Sequence, residues 1–438
     1  MKTNHAVLSS TGMFISQRVQ TSTDSLTSVM QTALDNGITH VWTNVGFPAL
    51  RTEKGKCTVD GWDLLVQHKG TNLKSVTGWI PGKDQVQVIF VRNSRWAQGR
   101  DKNIWGKVCT PAQLLSTVGN LEKKLEVPVS ASPGGTGWKL LSKFHPEWVK
   151  NVPTVDLMKM HMFAGIKGAA HDLVFQNPLT EGKYLHKVDR NSAYLYSATF
   201  DLFYGVGNPS HDPDGSKCDG KSPGIWECEV YPTNEQLPDY PAGKYWLATP
   251  IINLMRYLKY EVEILNGNYW PKRTAHQSLS KWATFLWECR QFFPPDSSER
   301  QAVKQIAIGT VGLASYGGYE EDEDTDKRRP DIKCMTVART YELMMHSILK
   351  FRRLTGLSPH MCYMDALYYV SNSPSRDFLA PLLTRTVKGV TKSTEKDLGG
   401  FKYEGYIEIT PEVKDILNNR RIEGGGVLEP LNTIGWRK

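Results

Sequence analysis

Two helical patterns broken once constrain this chain most. Residues 276–293, HQSLSKWATFLWECRQFF, and 297–317, SSERQAVKQIAIGTVGLASYG, each read as a helix, with Pro294-Pro295 between them. A proline pair cannot continue a helix, so the two fold back as a hairpin able to project from a sheet. Arg300 and Lys304 stand four residues apart on the second helix and can share one face, while Arg290 lies near the end of the first.

Acid-bearing strand segments flank the hairpin in sequence. KYLHKV reads as a strand delivering Asp189 into the polar elbow of DRNSAYLYSATF, which carries Ser192 and Tyr194. Further on, TVARTYELMMHSILKFRRLTG reads as a helix stopped at Gly356. It leads into HMCYM and LYYVS, two short strands with Asp365 at the tight turn between them. If the strands are neighbours, the two carboxylates can hold a pair of divalent cations about 3.5 to 4 Å apart, the arrangement for nucleotidyl transfer. Magnesium suits such a site because it takes few carboxylates plus phosphates and water, and manganese is the alternative. Lys304 offers a triphosphate a point charge; Arg300 or Arg290 offers a forked donor.

Residues 1–150 read as an α/β region. The helix SLTSVMQTALD ends at Asn36-Gly37 and feeds a strand at THVWTNV; QVQVIFVRNS follows the turn PGKD; TPAQLLSTVGNLEKKL starts at a threonine cap followed by proline. ASPGGTGWKLL, 131–141, lacks the spacing of a phosphate loop and reads as a linker into a helix. IWECEVYP is expected at a sheet edge, NPSHDPDGSKCDGKSPG as an exposed loop, and EEDEDTD, 320–326, as a solvated turn. Trp282 and Trp287, five apart, read as packing, and His161 and His171, ten apart, suggest no metal site. A formal charge of +8 is a mild push toward polyanions. Seven scattered cysteines, with no export signal and no long apolar run, point to thiols in a cytoplasmic protein with no membrane partner.

The motifs together resemble family B DNA polymerases, most closely the compact protein-primed branch. D189-R-N-S-A-Y-L-Y is similar to the family's Asp-x-x-Ser-Leu-Tyr-Pro, K304-Q-I-A-I-G-T-V-G312 to Lys-x-x-x-Asn-x-x-Tyr-Gly, M361-C-Y-M-D-A-L-Y to Tyr-Gly-Asp-Thr-Asp-Ser, and L398-G-G-F-K-Y-E404 to Leu-Gly-x-Phe-Lys-x-Glu. Departures are Ile308 and Val311 in place of Asn and Tyr, and Tyr363 in place of the first Asp. The resemblance implies an α+β fold: a right-hand palm with an antiparallel sheet and a helical fingers hairpin, after an α/β domain resembling a degenerate exonuclease domain. Its divisions fall at 1–150 (exonuclease-like or nucleic-acid-binding), 151–182 (linker and helices), 183–265 (palm), 266–318 (fingers), 319–410 (palm with the metal-binding hairpin) and 411–438 (reduced thumb).

By the same resemblance Asp189 and Asp365 are the catalytic metal ligands. Ser192, Tyr194, Arg290, Arg300 and Lys304 bind the nucleotide, with Tyr194 under its sugar. Gly312, Lys402 and Tyr403 contact DNA. The implied partners are primer-template DNA and deoxynucleoside triphosphates, with a terminal protein or processivity partner beside them. No Asp-x-Glu occurs in residues 1–180, so no proofreading is expected, and the 34 residues after Glu404 leave little for a thumb. Loss of the fingers Asn and Tyr keeps two alternatives open. One is a template-independent terminal transferase or primase-like enzyme, the other an inactive relative that binds DNA ends or a terminal protein.

Overall fold

The computed structural model describes residues 5–10, 12–15, 18–19, 21, 25–45, 47, 55–69, 72–91, 96, 110–147, 175–176, 181–200, 204–205, 207–232, 240, 242–271, 275–276, 279–314, 329–363, 365–419, 431 and 435–437. The acidic run at 320–326, most of the linker at 151–182, and His161 and His171 lie outside them. The chain divides into two compact units, Met1–Phe144 with Glu288–Leu313, and His145–Trp287 with Ala314–Lys438.

The first unit is built on an eight-stranded mixed sheet. His5–Ser9, His40–Thr43 and Val86–Phe90 run parallel at its centre, Gly12–Phe14 and Arg18–Val19 extend one side, and the meander Gly55–Val59, Trp62–Lys69, Asn72–Trp79 extends the other. Helix Leu26–Asp35 buries Leu26, Val29, Met30 and Ala33, the stripe that a 3.6-residue period dictates. It packs over Gly78, where a Cβ would come within 2.6 Å of the Met30 sulfur. Helix Pro111–Leu125 opens with a full capping box between Thr110 and Gln113, a device worth about 1 kcal/mol.

The glycine-rich segment proves to be helix itself, Pro133–Phe144, rather than a linker ahead of one. Its glycines serve packing. A Cβ on Gly134 would lie 2.6 Å from the Gly309 carbonyl, and one on Gly137 would collide with Thr310, so the helix crosses the second hairpin helix, Ser298–Ala314, backbone against backbone. That helix therefore belongs to the compact unit formed by the N-terminal region.

The second unit carries a five-stranded antiparallel sheet in the order Phe401–Glu408, Tyr184–Arg190, Ala366–Ser371, Met361–Tyr363, Phe175–Gln176. A second antiparallel sheet orders Ser210–Asp212, Glu261–Tyr269, Gly224–Tyr231 and Gly243–Ala248. The strand Gly224–Tyr231 is thus interior, not an edge. Its alternating acids, which suggested an edge, ride on a strand whose Ile225, Trp226, Cys228 and Val230 are all buried. Helix Pro330–Thr355 begins six residues before the expected Thr336 and ends at Gly356 in the left-handed region, φ 75°. At its start the wholly buried Arg329 grips Asp331 through two nitrogens, at 2.8 and 2.6 Å, and donates to the Gly205 carbonyl.

Candidate active site

The central strand Tyr184–Arg190 pairs on both sides, and the register decides what surrounds its last residues. Asp189 stands opposite Ala366 on one neighbour and Lys402 on the other, while Ala366 stands opposite Tyr363. Cross-strand partners share a face, so Tyr363, Ala366, Asp189 and Lys402 form one row across the sheet. Asp365 sits in the turn directly before Ala366, and its carbonyl accepts the Arg190 N–H at 2.8 Å. The two acids proposed from sequence are therefore brought together at adjoining strand ends, both half-buried.

The elbow after Asp189 is held from below. Asn191 exchanges backbone hydrogen bonds with the segment before the strand Phe401–Glu408, its N–H to the Gly400 carbonyl and its carbonyl from the Gly399 N–H, both 2.9 Å. Its amide reaches the Glu395 carbonyl at 2.6 Å. Ser192 occupies the left-handed region at φ 48°, a conformation costing a non-glycine residue about 1 kcal/mol or more, and turns the chain into the short helix Ala193–Ser197. Tyr194 is half-buried on that turn, and Ser197 ties it to the long helix through Thr340 at 2.7 Å.

Arg190 was not singled out from sequence, yet it anchors the site. Its side chain points to the opposite face from Asp189 and is 5% exposed. The guanidinium donates to the Gly399 carbonyl at 3.0 Å, the Leu343 carbonyl at 3.3 Å and the Ser347 hydroxyl, and stacks on Phe401 at 4.4 Å. Burial lowers its pKa to about 10, opposed in part by Tyr196 and Asp365, so it stays charged at neutral pH. An arginine on the core-facing phase of an apolar strand was the available signal.

Other expected site residues fall differently. Lys402 is half-buried in the row and pairs with Glu404 at 2.8 Å. Tyr403 is 8% exposed, its hydroxyl is 2.9 Å from His186 Nδ1, and burial raises its pKa to about 12. It packs into the core, where the resemblance had it touching DNA. In the first unit, Arg300 donates to the carbonyls of Arg290 at 2.8 Å and Phe293 at 3.2 Å, bracing the hairpin turn with the donors expected to face a triphosphate. Arg290 is half-buried beside it. Lys304, Ile308 and Gly312, four residues apart in turn, are all exposed on one face of their helix, with Ile308 50% exposed, whereas Val311 is 3% exposed.

Among solved structures the chain is similar to phi29 DNA polymerase. Against its ternary complex with primer-template DNA and incoming nucleotide substrates, the TM-score is 0.55 at 13% identity, covering 88% of this chain and 79% of that chain. Against the orthorhombic crystal form it is 0.57, also at 13% identity, covering 88% and 78%. The chain has a polymerase palm-and-fingers fold. No protein-family model matches the sequence, and no curated protein does. Identity this low bears on fold and leaves the chemistry to the side chains.

As a donor set, two half-buried carboxylates at adjoining strand ends are oxygen ligands of the kind a hard divalent cation takes. Among the described residues no three His, Cys, Asp or Glu side chains gather into a closed cage. A magnesium ion held by Asp189 and Asp365 would keep most of its coordination shell for other oxygen ligands, as that ion prefers. Among the described residues no helix is long and apolar enough to cross a membrane.

Proposed function

We propose that the chain is a nucleotidyltransferase, a DNA-directed DNA polymerase that extends a 3′ hydroxyl with deoxynucleotides. The observation carrying this reading is the meeting of Asp189 and Asp365 at adjoining strand ends of an antiparallel sheet, fixed by the hydrogen bond from Arg190 to Asp365. In the reaction the hydroxyl oxygen bonds to the α-phosphorus, the bond from that phosphorus to the bridging oxygen breaks, pyrophosphate leaves, and the hydroxyl proton passes to solvent. Bound magnesium, or manganese, would supply Lewis acidity and charge neutralisation there.

The chain's own residues orient the reactants. Asp189 and Asp365 would hold the cations. Tyr194, on the turn after the elbow, is assigned to the nucleotide sugar, and Lys402, beside Asp189 in the row, to a primer phosphate, a contact that positions without reading sequence. Lys304 is assigned to the triphosphate. The first unit, with no Asp-x-Glu in residues 1–180, is assigned a noncatalytic nucleic-acid-binding role, hence no proofreading. A terminal protein or processivity factor is a further partner on this reading.

The test is extension of a labelled primer with magnesium or manganese, with matched template, without template and without primer, alongside Asp189→Asn and Asp365→Asn. Template-ordered extension that falls about 10³-fold or more in both variants is expected, since each removes a metal ligand worth several kcal/mol. DNA binding without extension under any condition would leave an inactive relative. A second reading, template-independent addition, is favoured by one observation. Ile308 presents an exposed apolar side chain beside Lys304 where the related motif has an amide, removing a polar group available to a base pair. Product formed without template would select it.

A further inference from the structure

Between the hairpin that carries Asp365 and the Lys402 row, the second unit carries an exposed two-stranded ribbon. Among the described residues, strands Thr384–Val387 and Val390–Ser393 pair only with each other, and every residue from Arg385 to Ser393 is exposed. A two-stranded ribbon without a covered face gains little from its own pairing. The register puts Arg385 directly opposite Lys392 and Val387 directly opposite Val390. One face therefore combines a like-charged cross-strand pair, which repels in isolation, with two valines 46% and 54% exposed. The other face is Thr384, Thr386, Thr391 and Ser393, hydroxyls throughout. Lys388, at φ 50°, adds a cation at the tip beside Gly389. Among the described residues, two acids lie at its root: Asp397, 3.7 Å from Arg385 in an exposed pair, and Glu395, held by Arg376 at 3.1 Å.

The root is fixed to the candidate active site. Thr394 donates to the Leu383 carbonyl at 2.8 Å, closing the ribbon's base. Glu395 accepts the Tyr403 N–H at 3.1 Å, and its carbonyl and that of Gly400 bind Asn191, two residues beyond Asp189. The base of the ribbon is thus hydrogen-bonded to the Asp189 elbow.

We propose that this ribbon grips the nucleic-acid duplex leaving the active site, its Arg385, Lys388 and Lys392 on backbone phosphates and its paired valines against the groove wall. The inference rests on the polymerase reading for which duplex end it meets. A two-stranded ribbon is the right width for a groove, its cations match phosphate, and phosphate would relieve the repulsion between Arg385 and Lys392. Exposed apolar side chains at the tip of a basic element suit sugar and base edges, which offer apolar contact between charged backbones.

The test is equilibrium binding of a fluorescent primer-template hairpin, and of its single strand, across a range of salt. Arg385→Thr with Lys388→Asn and Lys392→Thr keeps strand propensity and creates an Asn-Gly turn, so the ribbon still forms. Three lost phosphate contacts should weaken duplex binding about 10- to 100-fold and reduce the salt slope by about 2 to 3. Val387→Thr with Val390→Thr should weaken duplex binding with the slope unchanged. Duplex affinity and slope equal to wild type in the first variant would overturn the proposal, as would an equal loss on single strand and duplex, or a wild-type chain that binds no duplex. Binding is read without catalysis. Ribbon-dependent binding without extension would therefore refute only the polymerase reading, and extension with ribbon-independent binding only this inference.

Discussion

The backbone N–H of Arg190 donates to the carbonyl of Asp365 at 2.8 Å, so the residue following one acid is bonded to the other acid itself. The same Arg190 sends its guanidinium through the sheet to the Leu343 carbonyl and Ser347 on the long helix and to the Gly399 carbonyl. One residue thereby joins both acids, the helix beneath them and the root of the ribbon.

Arg190→Met keeps much of the volume and removes these bonds. It should cost about 2 to 4 kcal/mol, because charge-assisted bonds are lost and the buried Gly399 carbonyl is left unpaired. Calorimetry or denaturant unfolding checks the stability. A positioning role further requires that the metal concentration for half-maximal extension rise and kcat fall while primer-template affinity holds, with Arg190→Lys recovering part of kcat. Lost stability with unaltered metal dependence would make Arg190 a packing residue only.

Gly137→Ala should destabilise the first unit by about 1 to 3 kcal/mol. The added methyl collides with Thr310 on the facing helix, and neither backbone has room to yield beside the Gly134 and Gly309 contact. Gly119, on the neighbouring helix with open space around its Cβ position, is the control. Gly119→Ala should stabilise slightly, because alanine is the better helix former. Thermal unfolding of the two variants in parallel separates overpacking from helix propensity.

Legibility in the sequence followed range. The helix over Leu26–Asp35, the Thr110 cap, the Pro294-Pro295 break and the Gly356 stop are local signals, and each lies where such signals place it. Asp189 and Asp365 were nameable because strand ends and turns are local too, but their adjacency depends on register between segments some 180 residues apart, which no local pattern carries. Arg190 and Asn191 went unnoticed for that reason: their partners at Leu343, Ser347, Glu395 and Gly400 are all distant. The glycines of Pro133–Phe144 misled because a loop glycine and a close-packing glycine look alike until the facing helix is known. Tyr403 shows the converse. Its motif position is recognisable, while its burial against His186 depends on the fold.

Acid should weaken the first unit through His40. Burial, with His5 and Lys139 nearby and only Glu122 opposing, holds its pKa at about 3 against an ordinary value of 6.5. Below pH 6.5 the unfolded chain takes up a proton that the folded chain refuses, so stability falls as pH drops from 6.5 toward 3 and is fully present above 6.5. The slope from this group is at most about 1.4 kcal/mol per pH unit. Urea midpoints between pH 7 and 4 check it, and His40→Gln should flatten the profile in that window. An unchanged profile would show that His40 does not govern the acid limb.

Lys304 carries the sharpest functional prediction on the hairpin. It is exposed on the same face as Ile308 and Gly312, whereas Arg300 spends its donors on the carbonyls of Arg290 and Phe293. If Lys304 meets the triphosphate, Lys304→Ala deletes a charge-assisted bond worth about 1.5 to 3 kcal/mol, which corresponds to a rise of about 10- to 150-fold in nucleotide KM. Arg300→Ala should instead loosen the hairpin, lowering the unfolding temperature with a smaller change in KM. Ile308→Asn restores an amide on that face without touching the acids. It should leave correct incorporation within a few-fold while raising discrimination against mismatched nucleotides, read as the ratio of kcat/KM values. Equal KM in wild type and Lys304→Ala would remove Lys304 from the nucleotide site.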